Sequence, residues 1–197
     1  ALRKCLESVP FARVEELLVQ PAGYEIRPDI LARVSVPDGE VVLLIDYRNN
    51  GQPRFARDAV NQIERVVRIF PRGYGVFAAP YVSPKAAEIC RDRQIGYLDL
   101  AGNCRLSTWP FHIEREGRPN PAAVKRDLRS LYSPKATRVI RVLLVNPLRS
   151  WKIQEMAVEA DVSIGQVANV KKLLDNREWI TSDSEGFRLT DPHAVLA

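Results

Sequence analysis

The hydrophobic pattern of the chain changes at residues 118–121, and this change limits what the chain can fold into. Before Arg118-Pro119-Asn120-Pro121, apolar runs of strand length alternate with segments of helical spacing, whereas nearly every segment after it is helical in pattern. Two prolines this close together interrupt both a helix and a strand ladder. We therefore predict an α/β domain over residues 1–118, a linker over 119–133 and a mainly helical domain over 134–197.

The composition supports folded domains and excludes several other classes of protein. Of the 197 residues, 46% are hydrophobic and 27% are charged, which excludes wholesale disorder. The longest apolar run, Val41–Ile45, is strand-sized, so we expect no membrane span, and no secretory signal is visible at the start. The chain lacks an initiating Met and ends abruptly, so we expect the C-terminal domain to be truncated.

The cysteines and histidines predict neither a disulfide framework nor a metal site. Cys5, Cys90 and Cys104 are an odd number at unrelated spacings, and His112 and His193 have no Cys or His near them. We therefore expect small buried thiols in a reducing cytoplasm, with no zinc and no cofactor.

The N-terminal domain contains a predicted hairpin, because Pro37-Asp38-Gly39 is a turn tripeptide between two β-rich runs. The predicted elements are, in order, a helix over Leu6–Val19, strands over Asp29–Val36 and Glu40–Tyr47, a helix from Pro53 to about Phe70, a strand over Tyr74–Tyr81, a helix from Pro84 to about Gln94 and a strand over Ile95–Leu100. This order predicts an α/β sandwich with a mixed sheet.

Two carboxylates and a cation stand at the open end of this hairpin. Asp29 begins the first strand, Asp46 lies near the end of the second, and Arg48 follows two residues later. Mg²⁺ takes one or two carboxylates together with waters and phosphate oxygens, so Asp29 and Asp46 could hold Mg²⁺ for phosphodiester cleavage. The alternative is that both are simple strand-end acids.

This arrangement, with Glu16 in the preceding helix and Gln62 in the following one, resembles the restriction-endonuclease-like fold with its PD-(D/E)xK motif over residues 6–108. The resemblance implies catalytic positions at Asp29, Asp46 and Glu16, with Arg48 where the family has its lysine. A guanidinium stays protonated and accepts no hydrogen bond, so Arg48 cannot act as a base, although it can neutralise a phosphate. We therefore expect a nuclease-like domain that does not cleave.

The C-terminal domain has three predicted helices and a hairpin. Apolar stripes predict helices over 134–146, from Ile153, and after Ser163, and Gly186 lies at the tip of a two-stranded hairpin. The string Ile153–Leu174 resembles the winged helix-turn-helix of bacterial regulators, with Ala157 inside the second helix and Val167 facing inward in the third. The resemblance covers about sixty residues.

The third helix has a polar face opposite its apolar stripe. At 100° per residue, Gly165, Asn169, Lys172 and Asn176 point away from the stripe, and Gln166 lies on its flank. Asn and Gln can pair with adenine in the major groove, and Lys can bind guanine or a phosphate. The predicted DNA-binding residues are Ser163, Gln166, Asn169 and Lys172, with Arg188 of the hairpin and Arg138 and Arg141 of the first helix.

The charge of this region favours double-stranded DNA as the partner. Residues 125–152 carry eight Lys and Arg against Asp127 alone, and such a stripe can neutralise phosphates. A solvated helix face and a winged helix used for protein contacts are the alternatives.

Residues 97–103, Tyr-Leu-Asp-Leu-Ala-Gly-Asn, form a further motif. Together with Asn50–Pro53 and Ala79–Ser83, they resemble the abortive-infection-type antitoxins of type IV toxin–antitoxin systems, which are predicted regulators that join a nuclease-like domain to a winged helix. The resemblance implies DNA binding and autoregulation of an operon. Asp99 either shapes a turn after a buried strand or joins Asp29 and Asp46.

Three functions follow as hypotheses. The favoured one is a DNA-binding transcriptional regulator or antitoxin whose nuclease-like domain is inactive. The alternatives are a metal-dependent PD-(D/E)xK endonuclease that its winged helix delivers to DNA, and an interaction module that binds a cognate toxin or a second copy of the chain.

Overall fold

The protein divides into two compact units, Ala1–Pro121 and Ala122–Ala197. The computed structural model describes residues 1–6, 8–22, 27–70, 72–120 and 131–196. Within those ranges each unit has a hydrophobic core of its own, and no helix is long and apolar enough to cross a membrane. The predicted linker falls largely on residues 121–130, which lie outside the described residues.

The first unit is built on a seven-stranded mixed sheet in which the strand order follows the sequence. Only the β3–β4 and β4–β5 pairs are parallel. The elements of this unit are α1 (Leu2–Leu6), β1 (Arg13–Val19), β2 (Ile30–Val36), β3 (Gly39–Tyr47), α2 (Pro53–Val67), β4 (Gly73–Ala79), α3 (Pro84–Asp92), β5 (Gly96–Asp99), β6 (Cys104–Thr108) and β7 (Phe111–Arg115). The prediction of an α/β unit with a mixed sheet is confirmed.

The predicted hairpin is the β2–β3 pair. Val36 pairs with Gly39, so Pro37 and Asp38 form the turn, and Gly39 has a φ of 127°, which a residue with a Cβ rarely adopts. At the other end of the hairpin Ile30 pairs with Ile45. This register puts the residue before β2 and the residue after Ile45 at the same end of the sheet.

The two long helices of the first unit begin where the sequence predicts. Pro53 opens α2, and Ser83 caps α3 by accepting a hydrogen bond from the amide of Ala86 at 3.3 Å. Ile63 of α2 and Phe77 of β4 belong to one buried cluster, which α3 joins. The other large cluster of this unit joins the sheet to α1.

One prediction for the first unit is wrong, and one pair of strands was not predicted. The helix expected over Leu6–Val19 does not form: α1 ends at Leu6, and Arg13–Val19 is the edge strand β1, paired with β2. The helical spacing of Val14, Leu17 and Leu18 is outweighed by strand pairing, which is a tertiary effect. The antiparallel pair β6–β7 was not expected at all, although its residues alternate buried and exposed in the manner of strands.

The expectation of three unpaired thiols is also wrong. Cys5 of α1 and Cys104 of β6 form a disulfide that joins residues 99 positions apart. The spacing of the cysteines could not reveal this pair, because the fold brings α1 and β6 together. Cys90 is a free, buried thiol, as expected, and burial raises its pKa to about 12.

The second unit consists of helices and one small hairpin. Its described elements are α4 (Pro134–Val145), α5 (Ile153–Glu159), α6 (Ile164–Asn176), β8 (Ile180–Ser182), β9 (Phe187–Leu189) and α7 (Pro192–Leu196). The predictions of three helices and a two-stranded hairpin are confirmed, whereas α7 was not expected. Trp151 ties the hairpin to the helices, because its backbone exchanges two hydrogen bonds of 2.9 Å with Phe187.

Candidate functional site

The acidic residues at the end of the β2–β3 hairpin lie close together. Asp46 is almost fully buried, at 2% exposure, while Asp29 is half-buried. The Asp29 Oδ2 atom accepts a hydrogen bond of 2.8 Å from the amide of Tyr47, which immediately follows Asp46. Strand pairing thus brings the two carboxylates to one corner of the sheet.

Arg48 contacts the buried carboxylate of Asp46. Its Nε lies 2.7 Å from Asp46 Oδ1, and its Nη2 donates to Asp46 Oδ2 at 3.1 Å. The same Nη2 donates to Gln62 Oε1 of α2, also at 3.1 Å. Arg48 therefore joins the end of β3 to the helix that packs beside it, and we call Asp29, Asp46, Arg48 and Gln62 the acidic cluster.

The electrostatics of Asp46 reflect three opposing effects. Burial raises the pKa of Asp46 from its ordinary value of 3.8 to about 6, the Arg48 guanidinium lowers it, and the negative charge of Asp29 raises it. The Nε–Oδ1 contact is an ion pair without hydrogen-bond alignment, so Asp46 Oδ1 is buried with no hydrogen-bond donor. Asp46 is thus held both by the charge of Arg48 and by a hydrogen bond from the Arg48 Nη2.

The Mg²⁺ ion that the nuclease resemblance implies does not fit these residues as they are arranged. The Arg48 guanidinium lies against both oxygens of Asp46, and one oxygen of Asp29 is bound by the Tyr47 amide. Among the described residues there is no group of three or more His, Cys, Asp and Glu side chains that could hold a metal. The cation at this corner is the arginine itself.

Glu16 and Asp99, two further acids of the sequence analysis, lie outside the acidic cluster. Glu16 is in the edge strand β1, not in a helix, and its carboxylate forms an exposed ion pair of 2.9 Å with Arg33. Asp99 accepts hydrogen bonds from the amides of Val82, Gly102 and Asn103 and from the Asn103 side chain. Asp99 therefore shapes the turn after β5, and the alternative that it joins the other two acids is wrong.

In the second unit, α6 presents a polar face to solvent. Ser163 caps this helix by accepting a hydrogen bond of 3.2 Å from the amide of Gln166. Asn169 and Lys172 are exposed, whereas Gln166 is half-buried. The opposite stripe of Val167, Val170 and Leu174 is fully buried, at 0% exposure. A Cβ added at Gly165 would meet no atom within 4 Å, so a ligand backbone could approach the helix there.

One residue of the predicted face is buried. Asn176 is 9% exposed, because the chain turns back after α6: the amides of Arg177 and Trp179 both bond to the carbonyl of Leu174. Asn176 is the last residue of α6, so its burial depends on the chain that follows the helix and not on the helical periodicity alone. Asn176 is no longer a candidate contact.

The predicted basic residues differ in their surroundings. Arg138 of α4 donates to both the side chain and the backbone carbonyl of Asp161, at 2.7 and 3.0 Å, so it stabilises the turn before α6. Arg141 and Arg188 are exposed. Lys125, Arg126 and Arg129 lie outside the described residues.

Two further cations lie against aromatic rings: Lys171, which the sequence did not single out, and Arg149, one of the basic residues of 125–152. Lys171 Nζ lies 5.8 Å from the centre of the Phe187 ring, which puts α6 beside the strand that carries Arg188. The Arg149 guanidinium lies 3.8 Å above the Trp151 ring. The proximity of Arg149 to Trp151 in the sequence was a usable signal, whereas the contact of Lys171 with Phe187 depends on the fold.

Comparisons with known proteins give little beyond this geometry. No protein family and no curated protein matches the chain. A solved structure described as "Structure of EndoMS in apo form" matches with a TM-score of 0.32 and 11% identity, over 46% of this chain and 38% of that chain. The match thus spans less than half of either chain, and a likeness this weak carries no argument about activity.

Proposed function

We propose that the protein binds double-stranded DNA through its second unit and acts as a transcriptional regulator. The order helix, helix, short turn, helix and hairpin is that of a winged helix, in which the third helix enters the major groove. In this proposal α6 is the recognition helix and the β8–β9 hairpin is the wing.

The observation that carries the proposal is the polar face of α6. Asn169 and Lys172 stand exposed on a helix whose other face is fully buried, and an exposed Asn or Lys on such a helix can reach base edges or phosphates. The contact between Lys171 and Phe187 brings the Arg188 strand beside this helix. Together these residues supply base-reading and phosphate-binding groups on adjoining elements.

For the first unit we propose a restriction-endonuclease-like domain that does not cleave DNA. The arginine at the position of the family's lysine stays charged and blocks both oxygens of Asp46. We also infer a role as an antitoxin that binds a cognate toxin, from the resemblance carried by residues 97–103 together with Asn50–Pro53 and Ala79–Ser83.

Fluorescence anisotropy with short duplexes, selected from a random pool at low salt, tests the DNA-binding proposal. We expect Asn169→Ala to weaken binding to the selected sequence by about 1–3 kcal/mol if Asn169 reads a base. Lys172→Ala should weaken binding to all sequences and reduce the salt slope by about one. Arg3→Ala removes one exposed charge from the other unit and should change neither quantity; DNA affinity that is insensitive to both α6 variants would contradict the proposal.

A metal-dependent endonuclease is the second candidate, and the nearness of the Asp29 and Asp46 carboxylates at one corner of the sheet favours it. Incubation of supercoiled DNA with the protein and Mg²⁺ or Mn²⁺ distinguishes the two. We expect no cleavage by the natural sequence. Cleavage that disappears in Asp46→Ala would establish the endonuclease and refute the inactive first unit.

A further inference from the structure

A cavity of about 350 Å³ opens between α1 and the turn that follows β5. Its wall contains the whole segment Leu98–Cys104, which includes most of the motif that the acidic cluster and α6 leave unused. Lys4 and Cys5 of α1 line it from the other side, and Arg115 and Arg118 also belong to its lining. Its volume falls within the range of small-molecule sites, about 300–1,000 Å³.

The β5–β6 side of this cavity is held rigidly. Asp99 fixes the turn through its four hydrogen bonds. Asn103 then fixes the chain at Arg118, because its Oδ1 accepts from the Arg118 amide at 2.8 Å and its Nδ2 donates to the Arg118 carbonyl at 3.1 Å. The backbone of Arg118 is therefore anchored, while its side chain lies over Gly102, where an added Cβ would meet it at 3.2 Å.

The α1 side of the cavity is anchored as well. The Cys5–Cys104 disulfide joins the helix to the sheet, and Arg115 Nη1 donates to the carbonyl of Lys4 at 3.1 Å. Leu2 and Leu6 of the same helix are buried in the core. The cavity is thus preformed, which lowers the entropic cost of binding a ligand.

The charges of the lining residues select for an anion. Lys4, Arg115 and Arg118 are the lining residues with cationic side chains, and none of them forms an ion pair with a carboxylate among the described residues. The one carboxylate in the described lining is Asp99, whose oxygens are bound within the turn and which is 1% exposed. Three cationic side chains against one buried carboxylate leave an excess of positive charge at the cavity.

An adjoining cavity of about 250 Å³ differs from the first in the charges of its lining residues. It shares Asn103 and Arg118 with the first, but Glu88 and Glu116 line it together with Arg91. Glu116 is already bound by Arg91 and by the hydroxyl of Tyr97. Its charges are balanced, so the anion-selective cavity is the one beside the disulfide.

We propose that the cavity beside the disulfide binds a small phosphate ester of mononucleotide size. Two guanidinium groups and an ammonium suit the several oxygens of a phosphate, which arginine can bind with two parallel hydrogen bonds. The apolar part of the wall, which includes Leu98, Leu100 and Ala101, suits the organic group of the ester. This site is independent of the proposed DNA-binding face.

Isothermal titration calorimetry of the whole chain tests the site, with adenosine 5′-monophosphate, inorganic phosphate and adenosine as probes. We expect the monophosphate to bind, inorganic phosphate to bind more weakly and adenosine not to bind. Arg118→Gln and Lys4→Gln should each weaken monophosphate binding about tenfold, which corresponds to loss of one charge-assisted hydrogen bond. Far-ultraviolet circular dichroism establishes that each variant is folded.

Arg3→Gln is the matched control, because Arg3 is exposed and next to Lys4 but does not line the cavity. It should leave the affinity for the monophosphate unchanged. The proposal is overturned if the monophosphate does not bind at millimolar concentration, if adenosine binds equally well, or if Arg3→Gln weakens binding as much as Lys4→Gln. Lys172→Ala should leave the monophosphate affinity intact, which separates failure of this site from failure of DNA binding.

Discussion

Arg48 is the residue on which the proposed inactivity of the first unit depends. Lysine and arginine carry the same charge, but a guanidinium spreads its donors over a planar fork and does not lose its proton. In this chain the fork spans both oxygens of Asp46 and reaches Gln62 as well. The arginine therefore acts as a structural counter-ion, and the position has no group that can take a proton from water.

The raised pKa of Asp46 predicts a pH dependence of stability. Because its pKa in the folded protein is about 6 and its ordinary value is 3.8, the folded state holds a proton between these values that the unfolded chain has released. The contribution of Asp46 to the free energy of unfolding is therefore largest below about pH 4, and it is lost as the pH rises through 6. The full change is about 3 kcal/mol.

Asp46→Asn should remove this dependence. We expect the free energy of unfolding of the natural protein, minus that of the variant, to fall by up to about 3 kcal/mol between pH 4 and pH 7. Urea denaturation at four pH values measures it. Asp92→Asn changes an exposed carboxylate at the end of α3 and should show no such trend; a difference that stays constant for Asp46→Asn would contradict the shifted pKa.

At the residue scale, the sequence predicted which residues lie close together better than it predicted what each residue does. The proximity of Asp29 and Asp46 followed from the hairpin turn, which fixes the register of both strands. Glu16 could not be placed, because its position depends on the pairing of β1 with β2. The burial of Asn176 depends on how the chain turns back after α6, which no periodicity reveals.

At the scale of elements, the disulfide between α1 and β6 is the strongest constraint that the sequence did not reveal. A helix of five residues has little stability by itself, and α1 stays in place through Leu2, Leu6 and the Cys5–Cys104 bond. The bond closes a loop of nearly one hundred residues, so its effect on the unfolded chain is large.

Reduction of this disulfide should lower the stability of the first unit. Because cross-linking restricts the unfolded chain, we expect the free energy of unfolding to fall by about 2–4 kcal/mol in reductant. Urea denaturation with and without reductant, monitored by a signal that reports on the first unit, measures this loss of stability. The double variant Cys5→Ser with Cys104→Ser is the control and should not respond to reductant, and equal stability of the oxidised and reduced natural protein would refute the prediction.

The elements that were predicted correctly share a local signal. Ser83 and Ser163 cap their helices as expected, and the turn at Pro37-Asp38 fixes the hairpin. The segment that became β1 has helical spacing but is mostly exposed on both faces, so its local pattern carried no information about a buried side. Its pairing with β2 determines its structure. The sequence pattern of the segment does not reveal that pairing.

At the scale of the whole molecule, the net charge of +5 is distributed unevenly along the chain. Residues 1–118 carry 17 Lys and Arg against 15 Asp and Glu, and the shorter stretch 119–197 carries 12 against 9. Phosphate contacts dominate the affinity of proteins for DNA. The proposal that the second unit binds DNA agrees with this distribution of charge.

The two units should respond differently to a DNA duplex, and nuclear magnetic resonance can separate them. In a titration of the ¹⁵N-labelled chain, we expect the backbone amides of α6 and β9 and the side-chain amides of Gln166 and Asn169 to shift. The Arg48 Nε–H and the Gln62 side-chain amide should not shift, because the Arg48 ion pair occupies the acidic cluster. Lys172→Ala is the control and should reduce all the shifts together. Shifts centred on Arg48 and Gln62 would instead favour an endonuclease that receives DNA at Asp29 and Asp46, and would contradict the closed arrangement of the acidic cluster.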